Sequence, residues 1–336
     1  MQTSDKIKVG VIGVGALGRH HARLYNLSEN ADVVGIFDVN TENAQKVADE
    51  FNLKVYTDMS ELANDCEALS VAVPATYHMK TALPLIEMGK HVLVEKPLAA
   101  TVEEGKVMVE AAQKYNVVFG VGHTERFNPA MDNLVTHRGT TCFIEVHRLA
   151  PYPPPRPGQH RRGTEVSVVH DLMIHDLDLI LDIVDSEIER FDAVGTAVLS
   201  DSEDIVNVRI KFKNGACANV TASRISEDLQ RRFRVFQDDA YISMDYGNNC
   251  GVVVKKNKIG LARKKVNLDP KNALAAELED FIEAIKKTKA GGKVVHPKVS
   301  GAEGLRALQL AEDIVTEIRR YNKKYANLHN ENSVKN

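Results

Sequence analysis

The chain has 336 residues, of which 43% are hydrophobic and 26% are charged, so it contains enough material for two domains with real cores. The formal net charge of −3 excludes the strongly basic balance of a general nucleic-acid-binding protein. No apolar run approaches the roughly 20 residues that a membrane span needs. We therefore expect neither nucleic-acid nor membrane partners.

The N-terminal residues and the cysteines indicate a cellular compartment. The segment MQTSDKIKVGVIG lacks the charged and apolar regions of a secretory signal. Cys66, Cys142, Cys217 and Cys250 are widely spaced and form no CxxC pair, so they do not predict a zinc ribbon. Scattered cysteines fit a reducing compartment and burial as packing residues. The sequence thus predicts a cytoplasmic protein.

Strand-like and helix-like segments alternate over residues 1–124. The segments IKVGVIGV, DVVGIFDV, ALSVAVP, HVLVEKP and VVFGVGH are apolar runs that read as strands, and helix-like segments separate them. This alternation predicts a parallel, doubly wound sheet whose strands are buried on both faces. We expect an α/β domain over residues 1–124.

The pattern changes after residue 124. A strand-like segment, TCFIEVHRLA, precedes a loop with five prolines within residues 151–157. Alternating strand-like runs follow, and Asn214-Gly215 between two of them is a strong signal for a type I′ hairpin. The sequence predicts an α+β domain over 125–325 with a mainly antiparallel sheet. Two helices near 271–289 and 299–325 close it, and residues 326–336 form a disordered tail.

A glycine-rich turn follows the first strand-like run. Gly13, Gly15 and Gly18 form a G-x-G-x-x-G pattern between a predicted strand and a predicted helix, which is the context of the dinucleotide-binding fingerprint. Gly13 permits the tight turn, Gly15 lets the backbone approach a pyrophosphate, and Gly18 allows the helix to pack on the sheet. We expect the phosphates to bind at this helix N-terminus, next to Ala16 and Leu17.

Asp38 ends the second strand-like run, 20 residues after Gly18. Its carboxylate can accept hydrogen bonds from both hydroxyls of a ribose and would repel a 2′-phosphate. No Arg or Lys follows it closely in the segment DVNTEN. The sequence therefore predicts NAD as the cofactor in preference to NADP.

Four further motifs occur along the chain: VAVPATYH at 71–78, GKHVLVEKPLA at 89–99, GHTERFNPA at 122–130 and HDLMIHDLD at 170–178. Together with the glycine pattern they resemble the glucose-fructose oxidoreductase/inositol dehydrogenase/MocA (Gfo/Idh/MocA) family of NAD(P)-dependent oxidoreductases over about residues 5–325. The resemblance implies a Rossmann domain followed by a domain with a large open sheet. In that family the sheet often forms an oligomer interface, so we expect a homodimer or homotetramer.

The resemblance also implies a catalytic group of Lys96, Asp171 and His175, and a cis bond before Pro97. His175 suits a general base because the ordinary pKa of histidine lies near neutral pH. Asp171, one helical turn earlier, can orient the imidazole. Lys96 can stabilise a developing alkoxide, or act as the base if burial lowers its pKa. The sequence leaves the choice of base open.

Residues near the ends of the third and fourth predicted strands complete the expected cofactor site. These residues are Pro74, His78, Glu95 and Lys96. Ligands bind at the carboxyl ends of strands in doubly wound folds, which is where both segments lie. For His78 the sequence supports two roles, contact with the nicotinamide or packing at a helix N-terminus.

Polar residues at the domain junction and in the proline-rich loop are candidate substrate ligands. The full set is Lys96, Arg126, Asn128, Arg156, Arg161 and His175. Arg126 and Asn128 either bind substrate or serve as a surface residue and a loop cap. Arg156 and Arg161 lie on a stiff loop, and guanidinium groups bind the diphosphate of a nucleotide sugar well. A solvated loop without a ligand is the alternative for residues 151–163.

The stretch VHDLMIHDLDLIL at 169–181 predicts a helix that is apolar nearly all round. At about 100° per residue, Asp171, His175 and Asp178 fall within one narrow polar strip. His170 and Asp176 point elsewhere and need only structural partners. A metal site built from the histidines and carboxylates of this stretch is a rival explanation. Hydride transfer needs no metal, so we expect none.

The set of motifs is most similar to the branch of the family that acts on nucleotide-linked amino sugars. This implies an NAD-dependent oxidoreductase that oxidises a sugar hydroxyl, in particular C3 of a UDP-N-acetyl-hexosamine, with His175 or Lys96 handling the proton. Two alternatives stay open. One is a dehydrogenase of a free polyol or sugar such as myo-inositol, and the other is a non-catalytic NAD-binding regulator.

Overall fold

The computed structural model describes residues 6–131, 139–155, 161, 163–248, 250–257, 260–267 and 272–333, with side chains described as far as Tyr325. The chain divides into two compact units. The N-terminal unit comprises Met1–Phe127 and Asn272–Leu308, and the C-terminal unit comprises Asn128–Lys271 and Gln309–Asn336.

The N-terminal unit contains a five-stranded parallel sheet in the order β2-β1-β3-β4-β5. Its strands are β1 (Ile7–Ile12), β2 (Ala31–Phe37), β3 (Ala68–Val71), β4 (His91–Glu95) and β5 (Phe119–Gly122). Every residue of β3 and β5 is buried, as expected for strands that are covered on both faces. The predicted Rossmann sheet is confirmed.

Helices alternate with these strands. They are α1 (Gly18–Leu27), α2 (Thr41–Phe51), α3 (Met59–Asp65), α4 (His78–Glu87) and α5 (Val102–Lys114). Asn40, Asp58 and Thr101 cap α2, α3 and α5 by accepting hydrogen bonds from first-turn N–H groups. At α1 the capping position holds Leu17, which supplies no side-chain acceptor. The N-termini of α1 and α4, where Leu17 and Tyr77 provide no side-chain cap, therefore differ from those of α2, α3 and α5.

Two long helices close the chain, α7 (Ala273–Gly291) and α8 (Gly301–Ser333). Leu278 and Phe281 of α7 are buried in the same core cluster as Val9 of β1 and Leu93 of β4. The N-terminal unit thus includes a returning helix, whereas the sequence predicts a single boundary after residue 124. An amphipathic pattern shows which face of a helix is buried but not which sheet covers it.

The end of α8 also differs from the sequence-based expectation. The helix continues to Ser333, through most of the segment 326–336 for which the sequence predicts a disordered tail. No Gly or Pro follows Gly304 to end the helix. Although α8 is long, neither it nor any other helix in the described part of the chain could cross a membrane.

The C-terminal unit contains an eight-stranded sheet in the order β13-β12-β11-β10-β6-β9-β8-β7. Its strands are β6 (Thr141–Leu149), β7 (Ile188–Thr196), β8 (Ile205–Phe212), β9 (Cys217–Ser223), β10 (Gln230–Gln237), β11 (Ala240–Asp245), β12 (Cys250–Asn257) and β13 (Gly260–Asn267). All neighbouring pairs are antiparallel except β6 and β9, which are parallel. The predicted large, mainly antiparallel sheet is confirmed. A helix, α6 (Ile174–Val184), precedes β7.

The Asn214-Gly215 turn joins β8 and β9 as predicted, but it is not of type I′. Gly215 has a φ of 90°, whereas Asn214 is not among the residues with positive φ. Type I′ requires positive φ at both central residues. The Asn214 side chain instead accepts a hydrogen bond of 3.0 Å from the Ala216 N–H. The dipeptide therefore indicates a turn without determining its type.

The cysteines are free thiols with different surroundings. Cys66 is buried, and burial raises the pKa of its thiol to about 12. Cys217 is half-buried. Cys142 and Cys250 are exposed, so the predicted packing role is wrong for these two residues, which lie at solvent-facing positions of β6 and β12.

Candidate functional site

The structure gives two of the three glycines in the turn after β1 a reason to be glycine. Gly13 has a φ of 80°, and a Cβ there would lie 2.8 Å from Val73 Cγ1. A Cβ at Gly18 would overlap the carbonyl oxygen of Gly13. A Cβ at Gly15 would meet no atom within 4 Å, so this position opens onto free space. The predicted requirement for glycine at Gly13 and Gly18 agrees with this geometry.

The first turn of α1 is suited to an anion. Gly15 and Ala16 are exposed, Leu17 provides no side-chain cap, and the first turn carries no acidic residue. Unsatisfied N–H groups and the positive end of the helix dipole therefore face the open space at Gly15. This arrangement fits the pyrophosphate of a dinucleotide.

Asp38 follows β2 at the same edge of the sheet. Its Oδ2 accepts a hydrogen bond of 2.8 Å from the Val14 N–H, and its Oδ1 accepts one of 2.8 Å from the Asn40 N–H. Two backbone donors thus hold the carboxylate beside the glycine turn. A carboxylate can accept about four hydrogen bonds, so capacity for two ribose hydroxyls remains.

Lys96 follows the last residue of β4, and its peptide bond to Pro97 is cis, as the family resemblance implies. The Lys96 N–H donates a hydrogen bond of 3.2 Å to Glu95 Oε2. Glu95 Oε1 lies 2.8 Å from Nε2 of His21 on α1, and both side chains are buried. Glu95 therefore holds the backbone at Lys96 from inside the unit.

Glu95 is ionised in spite of its burial. Burial opposes the charged form, but the hydrogen bond and charge of His21 and the nearby charge of Lys96 outweigh it. The pKa of Glu95 is consequently held below its ordinary value. With 6% exposure the carboxylate is directed into the protein, so its predicted contact with a cofactor would have to be made by its backbone.

Two residues near the end of β3 were also expected at the cofactor site. Pro74 is exposed and precedes a short 3-10 helix at Ala75–Tyr77. His78 is 1% exposed, with Nδ1 at 2.9 Å from the Pro97 carbonyl oxygen and Nε2 at 2.9 Å from that of Val73. The packing role is therefore the better description of the His78 ring, which has both nitrogens engaged by backbone.

In the C-terminal unit, Asp171 lies on an unusual helical turn. Residues Val169–Met173 form a π-helical turn that leads directly into α6, where the sequence predicts an α-helix throughout. π-Helical turns insert an extra residue and occur frequently at functional sites. Asp171 on the π-turn and His175 in the first turn of α6 are both half-buried. The regular rotation of about 100° per residue that the sequence analysis assumed is therefore wrong for residues 169–173, because a π-helical turn contains more residues than an α-helical turn.

His170 and Asp176 of this stretch have structural partners, as predicted. Asp176 is fully buried and accepts hydrogen bonds of 2.7 and 2.9 Å from the Arg148 guanidinium. His170 Nε2 lies 3.6 Å from a carboxylate oxygen of Glu312, and burial lowers the pKa of His170. Asp178 is 1% exposed on the inner side of α6.

A glycine and a buried arginine support Asp171. Gly163 has a φ of 79°, and a Cβ there would overlap the Asp171 carboxylate. Arg224, 1% exposed, donates hydrogen bonds to the carbonyl oxygens of Gly163 and Val166. Its Nε donates a further bond of 2.8 Å to Asp204 Oδ1. The segment against Asp171 is therefore tied to the protein interior.

Asp204, the partner of Arg224, accepts hydrogen bonds on both of its carboxylate oxygens. Asp204 is completely buried, and its Oδ2 accepts hydrogen bonds from the backbone N–H groups of residues 198–200. Burial opposes its ionisation, but the hydrogen bonds from Ser200, from backbone and from Arg224 outweigh it and hold the pKa of Asp204 well below its ordinary value. Sequence reasoning overlooked Gly163, Asp204 and Arg224, because no motif or spacing marks them.

The structure places the predicted substrate ligands in different settings. Arg126 is buried rather than at the surface, with Nη1 at 3.8 Å from Glu303 Oε1. Asn128 Oδ1 accepts a hydrogen bond of 3.0 Å from the Ala130 N–H, which is the loop-capping role. The guanidinium of Arg161 lies over the Tyr152 ring at 5.1 Å. Arg156 lies outside the described residues.

The described side chains contain no cluster of three or more His, Cys, Asp or Glu residues that could hold a metal ion. This statement covers the candidate group on the stretch 170–178. Of the candidate ligands His170, Asp171, His175 and Asp178, His170 lies 3.6 Å from a carboxylate oxygen of Glu312.

Comparison with known proteins identifies both parts of the chain. Residues 7–123 match the family described as "Oxidoreductase family, NAD-binding Rossmann fold" (GFO_IDH_MocA), and residues 137–243 match the "GFO/IDH/MocA C-terminal domain". The chain is 35% identical to UDP-N-acetylglucosamine 3-dehydrogenase of Acidithiobacillus ferrooxidans, over 83% of this chain and 88% of that protein. It is 27% identical to myo-inositol 2-dehydrogenase of Thermotoga maritima, over 90% and 94% of the two chains.

Solved structures of similar proteins agree with this family assignment. A structure of the Acidithiobacillus ferrooxidans enzyme has a TM-score of 0.85 and 34% identity, covering 94% of this chain and 99% of that one. A structure of levoglucosan dehydrogenase with NADH and levoglucosan has a TM-score of 0.82 at 22% identity, covering 94% and 98%, which shows a shared fold. The chain therefore belongs to the Gfo/Idh/MocA family and is an NAD-binding oxidoreductase that acts on sugar hydroxyls.

Proposed function

We propose that the protein oxidises the C3 hydroxyl of a UDP-N-acetyl-hexosamine, with NAD as the hydride acceptor. The observation that carries this proposal is the likeness to UDP-N-acetylglucosamine 3-dehydrogenase over 286 residues. A match of that length extends well beyond the Rossmann domain, which accounts for residues 7–123. It therefore includes part of the unit in which substrate specificity is expected to reside.

The geometry of the glycine turn supports the assignment of the cofactor residues. Gly13, Gly15 and Gly18 with Ala16 and Leu17 would hold the pyrophosphate at the N-terminus of α1. Asp38, already oriented by two backbone N–H groups, would accept hydrogen bonds from the adenosine ribose. Bound NAD supplies the acceptor for the hydride that leaves the carbinol carbon.

The proton of the reacting hydroxyl is handled by the chain's own residues. His175 is proposed as the general base, with Asp171 orienting its ring and favouring the protonated form once the proton has been taken. The Lys96 ammonium would donate a hydrogen bond to the developing alkoxide. Lys96 is the alternative base, and the pH dependence of kcat in single variants distinguishes the two assignments.

The proposed substrate ligands divide by chemistry. Arg156 and Arg161 would bind the diphosphate of the nucleotide sugar, because planar guanidinium groups pair with phosphate oxygens through two hydrogen bonds. Arg126 and Asn128 would contact sugar hydroxyls. A free polyol has no diphosphate, so the loop arginines matter only for a nucleotide sugar.

The proposal is tested by following NADH formation with UDP-N-acetyl-hexosamines and with free polyols. Turnover of the nucleotide sugars is the expected result. Lys96→Ala and His175→Ala should each lower kcat by about 10²–10⁴-fold, the usual contribution of acid–base groups. The exposed Lys213, paired only on the surface with Glu187, provides the control Lys213→Ala with unchanged kcat. Full activity in either site variant would refute the catalytic assignment.

A free polyol is the second candidate substrate. The myo-inositol 2-dehydrogenase relative matches 90% of this chain, although at a lower identity of 27%. Turnover of myo-inositol without turnover of UDP-sugars would favour this candidate. In that case Arg161→Ala should leave KM for the polyol unchanged.

The open face of the C-terminal sheet supports a homodimer or homotetramer. On one face the alternating residues Ile144, Val235 and Ile242 are buried. The other face carries the half-exposed aromatic cluster of Phe143, Phe236 and Tyr241, with centroid separations of 5.5 and 4.9 Å. Exposed apolar clusters on a sheet face are typical of interfaces. Light scattering after gel filtration should show a dimer or tetramer, and Phe236→Glu should reduce the mass.

A further inference from the structure

His78 joins two segments of the N-terminal unit that carry candidate site residues. It begins α4, and its side chain is 1% exposed. Nε2 lies 2.9 Å from the carbonyl oxygen of Val73, in the segment after β3. Nδ1 lies 2.9 Å from the carbonyl oxygen of Pro97 and 3.3 Å from that of Leu98, in the segment after β4. One ring therefore links the ends of two neighbouring strands.

A direct role in proton transfer does not fit this environment. A general acid or base must reach the proton that it transfers, whereas both nitrogens of this buried ring face backbone oxygens. Burial also lowers the pKa of His78, so near pH 7 the ring is mainly neutral and carries one N–H. A neutral ring donates to one of the two segments at a time, and substitutions can separate these contacts.

Lys96 lies between two residues that buried histidines hold. Glu95, which precedes it, binds His21 through Oε1 at 2.8 Å and accepts the Lys96 N–H through Oε2 at 3.2 Å. Pro97, which follows it, contacts His78. His21 is held in turn by Ser70 Oγ, 3.2 Å from its Nδ1. The backbone of Lys96 is thus fixed on both sides, while its side chain is half-buried.

We propose that His78 is a positioning residue for Lys96, acting through the Pro97 carbonyl to direct the ammonium group. This inference rests on the proposed catalytic role of Lys96 but goes beyond it, because it assigns a residue that positions the lysine. A displacement of about 1 Å in a catalytic group can lower a rate by about 10²-fold. The loss of this contact should therefore affect kcat more than cofactor binding.

Three substitutions of His78 separate the contacts. His78→Phe keeps the ring volume and removes both nitrogens. His78→Asn places an amide N–H near the position of Nδ1, which faces Pro97, and His78→Gln places one near Nε2, which faces Val73. His296→Phe, at an exposed histidine, is the matched control.

Two readouts are needed. The first is the pH profile of Lys96 acylation by a trace of acetic anhydride, measured by mass spectrometry on the full-length protein, which needs no substrate. The second is the set of kcat, KM and NADH dissociation constant with a UDP-sugar. We expect His78→Phe to shift the Lys96 acylation profile and lower kcat about 10–100-fold, with an NADH dissociation constant close to that of the wild type. His78→Asn should recover most of kcat and of the profile, and His78→Gln should not.

Several outcomes would overturn the proposal. One is a wild-type acylation profile for Lys96 in His78→Phe. Another is equal behaviour of His78→Asn and His78→Phe, which would show that the Pro97 contact does not matter. A parallel loss of NADH binding and folded protein in all three variants would show a purely structural role. If the wild-type protein oxidises no sugar, the proposed function fails, whereas the acylation profiles still decide whether His78 positions Lys96.

Discussion

Lys96 and Asp171 are supported by different kinds of structure. Lys96 follows a buried strand of a regular parallel sheet, and its neighbours bind side chains from α1 and α4. Asp171 lies on a π-helical turn and packs against Gly163 of an irregular segment, which Arg224 ties to the interior. The first support is distributed over several elements. The second includes a glycine whose Cβ would overlap the Asp171 carboxylate, so we expect a substitution there to disrupt it.

The largest expected effect is the loss of the buried arginine. Arg224→Met removes the charged partner of Asp204, which is completely buried. Removing one partner of a buried ion pair typically costs about 3–5 kcal/mol because the other charge stays unpaired. Urea unfolding of the variant should show a loss of this size. The exposed Arg306 gives the control Arg306→Met, and similar losses in the two variants would mean that the network does not support the C-terminal unit.

Gly163→Ala should have the next largest effect. A positive-φ position costs an L-residue about 1–2 kcal/mol, and here the new Cβ also overlaps the Asp171 carboxylate. Gly89→Ala is a matched control, because Gly89 has a φ of 74° and free space around the added Cβ. We expect both variants to lose stability and only Gly163→Ala to lose kcat, by about 10²-fold. Equal kcat values in the two variants would contradict the support of Asp171 by Gly163.

Gly15→Ala tests the opposite situation, a glycine with open space above it. A Cβ at Gly15 meets no protein atom, so stability should be almost unchanged. The methyl group would occupy the space expected for the pyrophosphate, so NADH should bind at least about tenfold more weakly, or about 1.4 kcal/mol. Fluorescence titration with NADH measures this change. Unchanged affinity would remove the proposed location of the pyrophosphate.

The smallest expected effect is a loss of folding stability at low pH that involves His91 in the parallel sheet. His91 begins β4, and its Nδ1 accepts a hydrogen bond of 2.9 Å from the Val118 N–H. Burial lowers the pKa of His91, an effect that Lys289 assists and Glu67 opposes. As pH falls below the ordinary histidine value of about 6.5, the unfolded chain binds the proton first, so stability decreases. In His91→Asn, which keeps an acceptor but does not titrate, unfolding free energies at pH 7.5 and pH 5 should differ less than in the wild type.

Much of the fold and of the candidate site could be predicted from local pattern. Alternating apolar runs indicated the parallel sheet, and the later strand pattern indicated the mainly antiparallel one. The glycines at Gly13 and Gly18 agree with two separate geometric requirements. These features depend on short-range sequence, because periodicity and backbone conformation are set by residues close together in the chain.

Other features have no local signature. His78 has both ring nitrogens on carbonyl oxygens from segments 5 and 19 residues away in the chain, and Arg224 bonds Gly163 from 61 residues away. The sequence does not show whether a histidine or arginine contacts a ligand, the solvent or a distant backbone oxygen. The burial of each polar group and the partner that satisfies it arise only when the chain packs.

The sequence by itself determined the order of strands and helices, the glycine turn and the family, because each is encoded in contiguous motifs. Only the tertiary structure decided that α7 returns to the N-terminal unit, that residues 169–173 form a π-helical turn, and that buried side chains hold the backbone at Lys96 and at Gly163, which lies against Asp171. The physical reason is that packing and hydrogen-bond satisfaction are properties of residues brought together in space, and sequence spacing does not report them.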